Sequence, residues 1–352
     1  MAAPDVVVAR VGMVTAVGLS AAETIASVRS ATMRFEKIDW LDHRFEPFTV
    51  AFVPDAGLPA LAPDVAKTAG LSIRDARLLR LGAKALAECL GPARLGARPP
   101  IVLALPEPER QRPLDAGRFL KLFAAQSAGA FDLAASATVS TGRAGGLSAI
   151  GRAAALVRSG RAPFAVAGGV DSFVDLYTLA TLDLEKRVKS GAHLDGFIPG
   201  EGAAFLLLAS PRAAAAAGLR ALAALSEPAE GFEKGHLGSK ETYKGEGLAA
   251  TVQALVGAAP PPRPFASVWS SMNGESHWAK EWGVAFLRSR DAFEDAHAMN
   301  HPADCYGDTG AAAGVLLAGL ASLDAPNGPA LAYASSDFGP RSAISILPAG
   351  GT

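Results

Sequence analysis

A helix rich in small residues constrains this chain more than any other feature. GGLSAIGRAAALVRS, from Gly145 to Ser159, reads as a helix able to pack closely against its neighbours. It sits in the most informative stretch, Ser140 to Ser210. Phe164 to Ala167 follows as a short apolar strand expected to end at Gly168-Gly169. The turn-rich DGFIPGEG then leads into another strand, Ala203 to Ala209. Strand-like and helix-like runs alternate through the rest, the pattern of a layered α/β protein. Val6 to Met13 reads as a strand. Ser20 with Glu23, and Ser72 with Asp75, have the spacing of helix N-terminal caps. Pro100 to Leu105 reads as a buried strand and Leu114 to Gln126 as a helix. Later come strands at Phe265–Trp269, Ala330–Ala334 and Ala343–Leu347, and helices at Trp278–Arg290 and Thr309–Leu323. The Ala-rich PRAAAAAGLR from Pro211 is taken as the join between halves 1–210 and 211–352. The polar EPAEGFEKGHLGSKETYKGEG reads as a long surface loop.

Composition narrows the function classes. With 352 residues, half of them hydrophobic, the chain can bury a sizeable core. Its 33 Lys+Arg against 34 Asp+Glu argue against a nucleic-acid binder. Trp269, Trp278 and Trp282 accordingly read as core residues rather than a base-stacking platform. No uncharged apolar run reaches the length of a membrane span; the nearest, Thr309 to Leu323, stops at Asp324. The amino terminus lacks the pattern of a leader peptide, and two cysteines, Cys89 and Cys305, cannot frame a disulfide scaffold. A reducing, cytoplasmic compartment is expected. Walker, HExxH and GxSxG motifs are absent, and His297 and His301, four apart, read as surface residues rather than a metal pair. Neither a metal nor a cofactor is expected.

Six segments, in order, carry a resemblance. They are VARVGMVTAVGLSAAETIASVRSA, IRDARLLRLGAKALAECL, STGRAGGLSAIGRAAALVRSGRAPFAVAGGVDS, DGFIPGEGAAFLLL, GDTGAAAG and SSDFGPRSA. Together they resemble the β-ketoacyl–acyl carrier protein synthases of the thiolase superfamily. The resemblance covers nearly the whole chain, with DGF-x-x-GEGA as its most specific match. It implies a thiolase-like α/β fold of two similar halves, each with a five-stranded mixed sheet, stacked in alternating helix and sheet layers. It also implies a two-fold dimer, with the strand before Gly168-Gly169 and its neighbours at the interface.

The family's chemistry uses a cysteine thiolate at a helix N-terminus and two histidines from later loops. By the resemblance, the nucleophile position falls on Arg143, the histidine positions on Asn273 and Asp308, and the family's lysine on Ala303. No cysteine lies between Cys89 and Cys305, so no small shift of alignment restores the nucleophile. Arginine stays protonated and forms no acyl thioester. An Arg143–Asp308 ion pair is expected to fill the former site, with Glu275 as a second anion; Arg143 facing solvent or lining a ligand pocket are the other readings. Ser276, His277, Cys305, Phe338 and Gly339 are further cleft candidates. Cys305 reads as a relocated thiol or a small packing residue, and His277 as a replacement histidine or a polar helix start. Arg74, Arg77, Arg80 and Lys84 share a helical face, read as solvated or as a landing stripe for an acidic acyl carrier protein.

Two functions follow. One is a non-catalytic ketosynthase homologue: a partner, scaffold or adaptor, chain-length-factor-like or secretion-associated. Its partners would be a second copy, a ketosynthase-like protein, an acyl carrier protein or a secretion effector. The other is an acyl-thioester enzyme, an acyltransferase, decarboxylase or thioesterase, using other residues in the same cleft. A filled pocket at Arg143 favours the first and an open tunnel the second.

Overall fold

The computed structural model describes residues 5–92, 95–109, 114–324 and 328–349. Met1–Pro4, part of the stretch read for a leader, lie outside them. The first half opens with β1 (Val7–Thr15), α1 (Ala21–Arg29) and a separate hairpin of β2 (Glu36–Leu41) and β3 (Pro47–Val50). It continues through α2 (Pro63–Ala66), α3 (Ile73–Leu90), β4 (Ile101–Ala104), α4 (Ala116–Gln126) and β5 (Ala137–Val139). It ends with α5 (Gly142–Arg158), β6 (Phe164–Ser172), α6 (Leu176–Leu184) and β7 (Glu201–Ala209). After α7 (Pro211–Ala216) come β8 (Ala223–Leu225), β9 (Ala229–Phe232), α8 (Glu246–Ala258), β10 (Phe265–Ser270) and α9 (Ser276–Arg288). The chain closes with β11 (Phe293–Asn300), α10 (Ala303–Tyr306), α11 (Ala313–Asp324), β12 (Ala330–Ser335) and β13 (Pro340–Pro348). The expected boundary, 210/211, falls at the start of α7, just after β7.

The strand order is β11-β10-β12-β13-β8-β1-β7-β6-β4-β5, with β9 on β13. The same pattern is written twice. In the first half β5 pairs parallel with β4, β4 parallel with β6, β6 antiparallel with β7, and β7 antiparallel with β1. In the second, β11, β10, β12, β13 and β8 repeat that series of orientations. The resemblance implied a five-stranded sheet in each half; here the two are joined at one edge. β1 and β8 pair at Val7↔Ala224 and Val8↔Ala223 and join them into one.

Alternation along the strands builds the layers. Leu206 and Leu208 of β7 share a core with Ile344 and Ile346 of β13 and with the central helices α5 and α11. Phe205 and Leu207, one residue out of phase, pack against α3 and α4. Leu331 and Tyr333 face α8 and α9. Strands covered on both faces read as continuous apolar runs, as FLLLA does.

The caps at Ser20 and Ser72 form as expected, each side chain accepting from the amide three residues on. Other expectations are corrected. β6 runs through Gly168 and Gly169 to Ser172 rather than ending before them, because the missing side chains admit Phe205 and the Ala311 carbonyl. Both edges of β6 are taken, by β4 and β7. The polar loop after Glu227 contains β9, and its Glu233 is buried, accepting from Gly235 and Gly247 amides. The arginine series of α3 faces the protein. Arg74 donates to Asp171 at 2.9 Å, Arg77 to Glu201 at 3.1 Å and Arg80 to Asp55 at 2.8 Å. Periodicity groups residues on one face but does not reveal which face carries buried acids. No helix among the described residues is long and apolar enough to cross a membrane.

Candidate functional site

The two central helices start at matching turns. The chain enters α5 through Ser140-Thr141-Gly142-Arg143 and approaches α11 through Asp308-Thr309-Gly310-Ala311. Gly142 has φ +64° and Gly310 φ +50°. A Cβ on Gly142 would lie 2.5 Å from the Glu107 carboxyl carbon, and one on Gly310 2.1 Å from an Asp171 oxygen, so both turns require glycine. The turn before α5 sends Arg143 into the seam between the halves, where it is 2 % exposed.

There Arg143 meets two carboxylates. Its Nε donates to Asp308 Oδ1 and Oδ2 at 3.0 and 2.9 Å, and its Nη2 donates to Asp308 Oδ2. Its Nη1 donates to Asp337 Oδ1 at 2.8 Å. Asp337 also takes Arg187 Nη1 at 3.0 Å, and Arg187 grips Glu275 through Nε and Nη2 at 2.6 Å each. Asn273 Nδ2 bridges Asp308 and Glu275 at 2.8 and 3.1 Å. Trp278 Nε1 donates to Glu275 at 2.9 Å while its ring lies 5.4 Å from the Arg143 guanidinium carbon. Asp308 Oδ1 further accepts from the Gly310 amide at 2.9 Å. Both guanidinium groups come from the first half, and all three carboxylates from the second.

Charge balance explains why this cluster can be buried. Burial alone lowers an arginine pKa, but Asp308 and Asp337 outweigh it and push that of Arg143 up. Burial is likewise overcome at Arg187, by Asp337 and Glu275. Both stay cationic, in bidentate contacts that suit the guanidinium fork. A cation near a helix N-terminus costs about 0.3–1 kcal/mol; here the carboxylates offset it.

The remaining candidates separate from the cluster. Ser276 is exposed and donates its hydroxyl to Asp195 at 2.7 Å. His277 is half-buried, its ring 4.2 Å from that of Tyr243 and 4.7 Å from that of Trp278, at the start of α9. Burial moves its pKa down. Cys305 is buried in the core between the halves, and burial pushes its thiol pKa up; burial raises that of Cys89 to about 12. Neither is a thiolate near neutral pH. Gly339, with φ +112°, leaves room for the Phe232 ring, and Phe338 packs its ring on His236. Ala303 begins α10. His297 and His301 hydrogen-bond separately, to the Glu294 carbonyl and Ser270, and no group of three potential metal ligands occurs among the described residues. Arg187 and Asp337 were not singled out from sequence. Asp337 lies inside the SSDFGPRSA turn, while Arg187 sits in LEKRVKS, a charged run that reads as surface.

Space at the cluster is small. The cavity bounded by Glu107, Gly142, Arg143, Asp171, Phe173, Gly310 and Asp337 holds about 10 Å³, room for about one water. The buried groups can hold the two halves together, but none is both nucleophilic and accessible.

Comparison with known proteins places this geometry. Residues 103–214 match the model for the β-ketoacyl synthase N-terminal domain. No curated protein matches the sequence. Among solved structures, the ishigamide ketosynthase/chain length factor is similar at TM-score 0.80 and 17 % identity, over 99 % of this chain and 100 % of that one. A ketosynthase, ApeO, in complex with its chain length factor, ApeC, from Xenorhabdus doucetiae gives 0.75 and 16 %, over 98 % of each chain. The oxazolomycin ketosynthase domain OzmH KS7 of Streptomyces albus JA3453 gives 0.79 and 15 %, over 99 % of this chain and 76 % of that one. The chain has the thiolase-like fold of these ketosynthases.

Proposed function

We propose that this protein is a ketosynthase-like scaffold that does not condense acyl chains and acts as the non-catalytic partner in an acyl-thioester assembly. The observation that carries this is Arg143, locked between Asp308 and Asp337 at the buried start of α5 with about 10 Å³ of free space beside it. In our reading Arg143, Asn273 and Asp308 stand where the family keeps its cysteine and two histidines. The chain then resembles a chain length factor more than the ketosynthase it accompanies. A ketosynthase-like chain and an acyl carrier protein are the proposed partners, and the 210/211 boundary is proposed as the join of a duplicated unit. The alternative is an acyl-thioester enzyme using Asn273, Glu275, Ser276 or Asp308. Asn273, Glu275 and Asp308 are buried and bound to one another or to the two arginines, and the exposed Ser276 hydroxyl is held by Asp195, away from the cluster.

Intact-mass measurement after incubation with acyl and malonyl carrier thioesters tests the reading. The expected result is no mass gain and no ketoacyl product, for the wild type and for Arg143→Cys alike. The variant restores a thiol but neither histidine. Acyl loading by the wild-type protein with release of a ketoacyl product would overturn it.

A further inference from the structure

The hairpin of β2 and β3 stands apart from the main sheet. Two strands alone are marginally stable, and this pair is held at two points. Phe48 and Val50 sit in a small core with Leu179, Leu182 and Val188. At the tip, the His43 amide donates to Asp183 Oδ2, near the end of α6, at 2.8 Å, and the His43 Nδ1 lies 2.8 Å from the same oxygen. Between the hairpin and the segment after α6 lies a pocket of about 470 Å³, large enough for a small ligand. It shares no lining residue with the cavity beside Arg143.

Three cations line this pocket from three separate segments: Lys37 of β2, Arg44 of the tip and Lys189 after α6. Asp42, Glu46 and Asp183 line it too, yet none of the three cations has an ion-pair partner among the described residues. Two of the acids are committed to the hairpin turn. Asp42 Oδ1 accepts the Arg44 and Glu46 amides at 2.8 and 2.9 Å, and Asp183 Oδ2 is taken by His43. Three open cations thus face one open acid, Glu46. Neutral donors complete the lining. Lys37 and Thr49 are cross-strand partners, so their side chains share a face of the hairpin. Ser190 and His193 close a turn through mutual backbone hydrogen bonds of 3.0 and 3.2 Å, and the Gly191 and Ala192 amides inside it have no partner among the described residues. A Cβ on Gly191 would meet nothing within 4 Å, so the turn is open there. Cations, hydroxyls and free amides select a group rich in acceptor oxygens. A phosphate monoester, at about −1.5 to −2 near neutral pH, matches the excess of open positive charge; a carboxylate would neutralise about half of it.

We propose that this pocket binds a phosphate group, as the free ion or as the monoester of a small alcohol, on Lys37, Arg44 and Lys189 with Thr49 and the 190–193 turn. The proposal does not depend on the loss of condensation. Isothermal titration calorimetry on the full chain tests it, at matched ionic strength so that screening stays constant. Inorganic phosphate and phenyl phosphate are the probes, and acetate is the comparison. One-to-one binding of phosphate is expected, with acetate weaker by about tenfold. Tighter binding of phenyl phosphate supports a monoester site, and tighter binding of the free ion supports a site for the ion itself. Lys37→Ala/Lys189→Ala is expected to weaken the tighter probe by about tenfold or more, the loss of charge-assisted hydrogen bonds. Lys240→Ala, at an exposed site in the second half, should leave binding unchanged. Arg44→Gln, with the same expected loss, stands in if the double variant fails to fold. No binding of either phosphate, acetate bound as tightly, affinity unmoved by the pocket variants, or an equal loss in Lys240→Ala would each overturn it.

Discussion

Arg143 places all three guanidinium nitrogens on carboxylates, so removing it leaves the buried Asp308 without a cationic partner and Asp337 with Arg187 alone. A buried pair contributes little over a well-packed apolar replacement, yet breaking one side of it costs about 3–5 kcal/mol. Arg143→Met is expected to destabilise the protein by about that amount. Asp308→Asn should cost less, because Asp337 still holds the guanidinium. The double variant Arg143→Met/Asp308→Asn should be more stable than the sum of the two, because it removes charge from both sides of the contact. Urea unfolding of the four proteins reads the coupling, and strict additivity would show that the contact contributes nothing to stability.

At the level of elements, the central helices are held by glycine and by caps exchanged between halves. The Ala144 amide at the start of α5 donates to Ser336 Oγ of the second half at 2.9 Å. The Ala311 amide ahead of α11 donates to Asp171 of the first half at 2.9 Å. Each half thus satisfies the open amides of the other's helix. The helices cross where Gly146 meets Gly314. A Cβ on Gly146 would lie 2.7 Å from the Val315 amide nitrogen, and one on Gly314 2.8 Å from the Arg143 carbonyl oxygen. Alanine is the better helix former by about 1 kcal/mol, but the obstacles here are backbone and cannot rotate away. Gly146→Ala and Gly314→Ala are each expected to lose about 1–3 kcal/mol by overpacking, read as a lower urea midpoint at unchanged m-value. A stabilised variant would mean that the helices separate easily.

For the whole molecule, one core serves both halves. It runs from Val8 and Leu208 through Leu147 and Leu316 to Ile344. β1 is hydrogen-bonded to β8, and the arginines of one half neutralise the acids of the other. Neither half can bury its inner sheet face or its charges alone. Fragments 1–210 and 211–352 are therefore expected to be unfolded when expressed separately and to gain structure when mixed. The intact chain should unfold in one transition, coincident by near- and far-ultraviolet circular dichroism. Two resolved transitions, or a half that folds alone, would show the halves to be independent.

Much of this was legible without coordinates, because it depends on near neighbours in sequence. The caps at Ser20 and Ser72, the apolar FLLLA strand and the small-residue helix follow from local spacing and side-chain size. The resemblance pointed to the thiolase-like fold, which the strand order and the structural matches bear out. Partnership could not be read that way. Arg187 and Asp337 lie 150 residues apart, and LEKRVKS has the composition of a solvated turn until the fold sets Glu275 and Asp337 against it. The α3 arginines were misplaced for the same reason, since Asp171 and Glu201 come from β6 and β7. Sequence determined the elements whose pattern is local, such as α5, β7 and the capped starts of α1 and α3, and that no cysteine stands at the start of α5. Tertiary structure alone decided which charges are buried, because burial and pairing depend on residues brought together through space.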